Sequence, residues 1–380
     1  MTSMTPRERF QVAMTNGQPD RVPCAPDISN MIPARLTGRP FWDIYYYSAP
    51  PLWRAYLDAV KLLGIDGWFF YGDPGFSVAE PLSYEQTYYT WSSERLVVGT
   101  RIKTPAGDLD QEATYYIADS PTETIKPIKN LKEEWAKVRY LFQEPVSYNP
   151  AVANIQRREL GELGVFGMCV GMPGFQNWFG LFEGTEMTLS YLYYDEPELV
   201  EEMRVLEERR QHKALEMQLE MRPDFILIGA SGAITLQSPK ILRQLSLPTL
   251  QKLTRMAKQA GVPTMLHCCG LESELVKICA QETDLDCINP LEVPPMGDCN
   301  LAELKKLYGQ RISLMGNLHT TDIMLRGTVD EVERAAKQAI DDAGAGGGFI
   351  LSTGDQCGRD TPLENIRKMV EVCSTYGRYT

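Results

Sequence analysis

The chain predicts an α/β fold, an eight-stranded (β/α)₈ barrel with an antiparallel β insertion between its second and third strands. Three observations carry this. Eight short apolar runs recur along the 380 residues, at 22–29, 64–72, 164–173, 225–232, 263–270, 286–292, 312–318 and 347–354. Most are apolar on both faces, as strands in a parallel sheet covered by helices must be. Helix-start signatures fall between them, and strand–helix alternation repeated eight times closes most simply as a barrel. One stretch, 79–150, breaks the rhythm with a different pattern.

The helix starts are chemical. Thr5-Pro6-Arg7-Glu8 offers a capping hydroxyl, a proline at the first helical position and a glutamate that can reach back. Thr328-Val329-Asp330-Glu331 and Thr361-Pro362-Leu363-Glu364 repeat the pattern, and Ser238-Pro239 opens another helix. Within 79–150, Tyr88-Tyr89-Thr90-Trp91, Leu96-Val97-Val98-Gly99 and Thr114-Tyr115-Tyr116-Ile117 read as strands, with a turn at Pro105-Ala106-Gly107-Asp108. The insertion belongs to the barrel, so residues 1–380 are expected to form a single domain. The run Gly344-Ala345-Gly346-Gly347-Gly348 is no phosphate loop, because no lysine follows it and a strand opens from it instead of a helix.

Composition excludes several classes. The net charge of −12 repels nucleic acid and anionic membranes. No apolar stretch is long enough to span a bilayer, and Met1 to Arg9 carries no signal-peptide core, so a cytoplasmic location is expected. Nine cysteines without a C-x-x-C pair argue against a disulfide framework and a zinc ribbon.

The chemistry concentrates at strand ends. The fifth strand ends Met265-Leu266-His267-Cys268-Cys269-Gly270. Side chains alternate faces along a strand, so His267 and Cys269 point one way and Cys268 the other. Cys357 follows the eighth strand in a loop at the C-terminal mouth, where barrel enzymes carry their chemistry. One imidazole and two thiolates suit zinc and leave a fourth position open. A histidine or cysteine at a strand end is equally a packed core residue, and spacing alone leaves both readings standing.

Other mouth residues are candidates. Glu292 and His319 are expected to act catalytically, with Glu292 holding the open metal position until substrate arrives. Asp27, Asp73 and Asn317 are candidate substrate contacts. His212, within Glu207-Glu208-Arg209-Arg210-Gln211-His212, reads as part of a solvated helix face. The aromatics Phe41-Trp42, Tyr45-Tyr46-Tyr47, Trp53 and Trp68-Phe69-Phe70-Tyr71 read mainly as core, with some available to line a pocket for a flat substrate.

Several segments resemble the uroporphyrinogen decarboxylase superfamily. They are Thr5-Pro6-Arg7-Glu8-Arg9-Phe10, Asp20-Arg21-Val22-Pro23, Met315-Gly316-Asn317, Arg326-Gly327-Thr328 and Thr361-Pro362-Leu363-Glu364-Asn365-Ile366. The true decarboxylases carry an N-terminal arginine-rich segment for substrate carboxylates. This chain has Ala25-Pro26-Asp27-Ile28-Ser29-Asn30-Met31 there. His267, Cys269 and the distant Cys357 are instead similar to the zinc pattern of the superfamily's corrinoid-dependent methyltransferases. The resemblance implies a zinc methyltransferase that exchanges a methyl group between a corrinoid (cobalamin) carried by a partner protein and a small substrate. That substrate is either a thiol acceptor or a methoxylated donor, the latter making an O-demethylase. A porphyrinogen decarboxylase and a non-catalytic binding protein on the same fold are the alternatives. The assembly state is open, with a homodimer among the options.

Overall fold

The computed structural model describes residues 3–229 and 234–379, apart from the side chains of 185–187. Seven parallel strands form one curled sheet, in the order Gly67–Phe69, Gly164–Cys169, Phe225–Gly229, Thr264–His267, Cys287–Asn289, Ser313–Leu318 and Phe349–Thr353. These are the second to eighth barrel strands. The end of the fourth apolar run, beyond Gly229, lies outside the described residues.

The first apolar run closes the ring without becoming a regular strand. Cys24 pairs in parallel with Leu351 of the eighth strand, and Ala25 N donates to Leu351 O. On the other side Asp66 N donates to Cys24 O, just before the second strand. Pro23 and Pro26 have no N–H to give, which is why the ladder here stops at one bridge to the eighth strand. The Asp66 carboxylate supplies what the ladder lacks. It accepts from Cys24 N at 2.8 Å, from Arg9 at 2.6 Å and from Arg21 at 2.9 Å, fully buried.

Two packed layers follow from strand alternation. Inside the ring, Ala25, Trp68, Val165, Phe225, Leu227, Met265, Cys287, Met315 and Ile350 meet. Phe10, Ala13 and Met14 of the helix Pro6–Met14 plug the N-terminal end of this core. Outside it, Phe69, Phe166, Ile226, Leu266, Ile288, Leu314 and Leu351 pack against the helices. The barrel is therefore sealed at one end and open at the other.

The insertion is a four-stranded antiparallel sheet, Ser83–Trp91, Arg95–Thr104, Gly107–Tyr116 and Thr122–Ile125, between the second and third barrel strands. Its central hairpin turns at Pro105-Ala106, with Thr104 opposite Gly107. The capping boxes at Thr5 and Thr328 form, and Ser238 caps its helix. Thr361 does not cap. The helix Leu363–Thr375 has no side-chain cap, and the buried Thr361 hydroxyl is turned toward the Cys357 thiol. The glycine run ahead of the eighth strand is a close-packed turn. A Cβ on Gly347, at φ +82°, would sit 2.3 Å from Gly17 O.

Asp66 offers a direct test of barrel closure. Asp66→Asn leaves the buried Arg9 with Asp20 as its remaining carboxylate, and breaking a buried pair costs about 3–5 kcal/mol. Urea unfolding should show the midpoint falling, with the unfolding free energy lower by that amount. An unchanged midpoint would mean that the proline segment is held by packing alone.

Candidate metal centre

The fifth strand delivers its side chains as alternation requires. Met265 sits in the barrel interior and Leu266 in the outer layer. His267 lines the mouth cavity, whereas Cys268 is fully buried in the outer layer. Cys269, just past the strand, stands beside His267, with Sγ 3.6 Å from Nε2. The third donor comes from the loop after the eighth strand. Asp355 Oδ1 lies 3.7 Å from His267 Nε2, and the three donor atoms all fall within 4.8 Å of one another.

These separations fit a shared ion better than direct bonds. An N···O contact of 3.7 Å is long for a hydrogen bond. Nitrogen and sulfur ligands at tetrahedral angles on zinc stand about 3.5 Å apart. His267 Nδ1 is buried with no hydrogen-bond partner, leaving Nε2 as the nitrogen turned to the cluster.

Cys357 is placed apart from this group. It is fully buried in the outer core, and its backbone N donates to Asp27 O at 2.8 Å. Burial pushes its thiol up to about 12, with the Asp27 charge adding to the shift. The cause is local. Asp355 adopts φ +96°, a left-handed backbone that aspartate tolerates better than most residues. The loop thereby turns Asp355 toward His267 and Cys357 into the wall.

The cavity beside the cluster measures about 440 Å³ and is lined by Asp27, Trp68, Phe70, Cys169, His267 and Asp355, among others. Trp68 and Phe70 come from the aromatic run read as a mixture of core and pocket. Trp68 stands 6.1 Å from the His267 ring. Burial raises the Asp27 carboxyl, and the Asp355 charge raises it further while His267 draws it down. Burial likewise raises Glu292, again with Asp355 adding. The Asp355 charge thus reaches a carboxyl on either side of it, a field that favours a cation.

The remaining candidates have structural partners. Glu292 Oε2 accepts from Gly270 N at 2.5 Å, so it grips the turn after Cys269 and stands outside the donor cluster. His319 Nδ1 accepts from Thr321 N and Asp322 N, capping a helical turn and fixing the ring hydrogen on Nε2. Its Nε2 is buried without a hydrogen-bond partner, 3.8 Å from Asp322 Oδ2, in a small cleft shared with Glu292. Asn317 Nδ2 donates to Leu291 O, which ties the sixth and seventh strand ends together. Asp27 Oδ1 accepts from Ser29 N. Asp73 is exposed, closes a turn on Gly75 N, and lies outside the cavity lining.

Two features of the mouth escaped the sequence reading. Cys169 ends the third strand facing inward and is accessible from the cavity. The surrounding protein raises its thiol, while Gly171 and Gly229 N–H groups donate to its sulfur and oppose the rise. The same alternation that selected Cys269 selects Cys169, through Val165 and Gly167 on the inner face. The second feature is the segment 207–212, which is not a solvated face. Glu207 and Gln211 are each 1% exposed, and His212 Nε2 is buried. They belong to the inner stripe of the helix Pro197–Glu220, with Val200, Met203 and Leu215 at helical spacing.

The comparisons with known proteins agree with this architecture. Residues 123–376 match the family model described as uroporphyrinogen decarboxylase (URO-D). The chain belongs to the uroporphyrinogen decarboxylase family. The methylcobamide:CoM methyltransferase MtbA of Methanosarcina mazei is 24% identical over 389 aligned residues, covering 99% of both chains. The methylated-thiol–coenzyme M methyltransferase of the same organism is 29% identical over 147 residues, which is 39% of this chain but only 36% of that protein. A solved methyltransferase structure from Methanosarcina mazei superposes with a TM-score of 0.68 at 19% identity, covering 98% of this chain and 99% of that one, and shares the barrel fold. No described helix is long and apolar enough to cross a membrane.

Glu207, buried on the helix Pro197–Glu220, gives the fold a pH signature. Burial pushes its carboxyl up to about 7, against Arg210 and donors from Asn177, Gly174 and Trp178. A group raised in the folded state stabilises fully below its unfolded value, and that contribution is lost as pH rises through the folded one. Stability should therefore fall by roughly 3 kcal/mol between pH 4.5 and 7 from this residue. Denaturation across that range should show the slope in the native protein and a flatter one in Glu207→Gln. Identical slopes would sink the assignment.

Proposed function

We propose that the protein transfers a methyl group between a corrinoid carried by a partner protein and a small substrate, at a zinc held by His267 and Cys269. The observation that carries this is the meeting of Cys269 with His267 and Asp355, the last two on the wall of the barrel-mouth cavity. The methyltransferase names of the relatives support it. Family resemblance offers Cys357 as the third ligand, and the structure offers Asp355 two residues earlier on the same loop. Either supplies a second negative donor beside the Cys269 thiolate, which offsets the charge of the ion.

When bound, zinc supplies a Lewis acid that acidifies a thiol or polarises an ether oxygen. The chain's own groups do the rest. Trp68 and Phe70 give the cavity an apolar wall that limits water. Glu292 acts through Gly270 and is a positioning residue for the turn that carries Cys269. With a thiol acceptor, the thiol proton leaves to solvent, the sulfur takes the methyl carbon, and cobalt keeps the bonding pair. With a methyl ether, the C–O bond breaks, reduced cobalt takes the methyl group, and the oxygen takes a proton. The open mouth lets cobalt approach, and a docking surface for the corrinoid protein follows. Porphyrinogen decarboxylation is disfavoured by the lining itself, where no arginine or lysine occurs among the described residues to meet several carboxylates.

Metal analysis separates the ligand sets. The purified protein should hold about one zinc. Cys269→Ala should lose it, and Cys268→Ala should keep it. Asp355→Ala and Cys357→Ala then identify the third donor, because losing the true ligand should weaken zinc binding by well over the roughly ten- to hundredfold that a supporting residue costs. No zinc after reconstitution would end the proposal.

The transfer itself is read with free cobalamins. Methylcobalamin with a thiol, or reduced cobalamin with a methoxylated aromatic, should show methyl transfer that depends on Cys269. Uroporphyrinogen should remain intact. Coproporphyrinogen formation, or a zinc-loaded protein inactive in both directions, would refute the assignment.

A further inference from the structure

A second cavity of about 640 Å³ lies outside the centre described above, where the insertion meets the barrel. Its size suits a small organic ligand. Phe76, Leu82, Tyr84, Tyr140 and Leu141 supply an apolar and aromatic lining. Among the described lining residues the single charged side chain is Arg210, from the helix Pro197–Glu220.

Arg210 is incompletely paired. Its guanidinium stands 3.9 Å from Glu207 Oε1, beyond hydrogen-bond reach. The Glu207 oxygens are already engaged by Gly174 N, Asn177 and Trp178 Nε1. Arg210 Nε is buried with no partner. Next to it Gln211, 1% exposed, spends its amide N–H on the Val170 and Gly171 carbonyls and leaves Oε1 without a donor. Unmatched buried polar groups beside an aromatic lining are what a ligand with one polar end and one flat end satisfies.

The cavity also shares a wall with the mouth. Cys169 lines both. A ligand whose anionic end sits on Arg210 therefore runs toward the side of His267.

We propose that this cavity binds a flat organic carboxylate, with the carboxylate on Arg210 and a polar hydrogen near Gln211 Oε1, and with the opposite end at Cys169. The inference rests on the methyl-transfer reading only in calling that ligand the substrate, and the binding site stands separately from it.

Calorimetry with 4-methoxybenzoate and its neutral counterpart 4-methoxybenzamide tests the site in the whole protein. The carboxylate should bind more tightly than the amide. Arg210→Gln should weaken the carboxylate roughly ten- to a hundredfold, as loss of a charge-assisted pair does, and leave the amide within about threefold. Arg210→Lys should recover part of the loss. Ala214→Trp, which fills the cavity from the same helix, should abolish both. Zinc content should not change in any of these variants. Equal binding of the two probes, no binding of either, or an affinity unmoved by Arg210→Gln or Ala214→Trp would overturn the site. If the binding pattern holds in protein that moves no methyl group, the site is supported and the functional reading alone fails.

Discussion

One buried carboxylate decides whether the strand ends converge. Asp66 joins Arg9 of the N-terminal helix, Arg21, and the backbone of Cys24. Those contacts lock a proline-interrupted segment between the second and eighth strands, where a normal ladder is impossible. With the ring closed, every strand points its C-terminal end at one mouth. With the ring open, His267 on the fifth strand and Asp355 after the eighth have no reason to meet. The charge of Asp66 is fully compensated by two guanidinium groups and an amide, which is the condition for leaving an ion in a dry interior.

The barrel was legible because two periodicities survive in the sequence. Strands buried on both sides read as short apolar runs, and helix starts carry hydroxyl–proline–glutamate signatures that physically satisfy orphan N–H groups. Where the reading slipped, a tertiary contact had won. Thr361 has the residues of a capping box around it, yet its hydroxyl turns inward beside Cys357. Local grammar cannot register a competing partner that arrives from elsewhere in the fold.

The centre was half legible for the same reason. Alternation along the fifth strand separates His267 and Cys269 from Cys268 without any knowledge of the fold. The third donor sits in a loop, where no period operates. Asp355 and Cys357 are two residues apart, and the choice between them in this structure falls to a single positive φ at Asp355. The buried stripe of Glu207, Gln211 and Gln218 was missed because polar residues at helical spacing look solvated. Their spacing matched that of Val200, Met203 and Leu215, so the period held the signal and the polarity concealed it.

Charge is segregated between the two cavities, and this organises the mouth. The Asp355 charge adds to burial in raising Asp27 and Glu292, and this concentration of acid beside His267 attracts a cation and repels a free carboxylate. Arg210 stands on the far side of Cys169, where the lining is aromatic and carries no acid among the described residues. Gln218 and Gln211 hold the backbone of residues 169–171 from the same helix that presents Arg210. The wall between the cavities is therefore tied to the helix that carries the cation behind it. In the proposed site an anionic ligand keeps its charged end on Arg210, away from the acidic mouth, and lays its neutral end against Cys169. That polarity would fix an orientation through contacts made away from His267, which is how a site gains alignment from binding energy spent away from the reacting atoms.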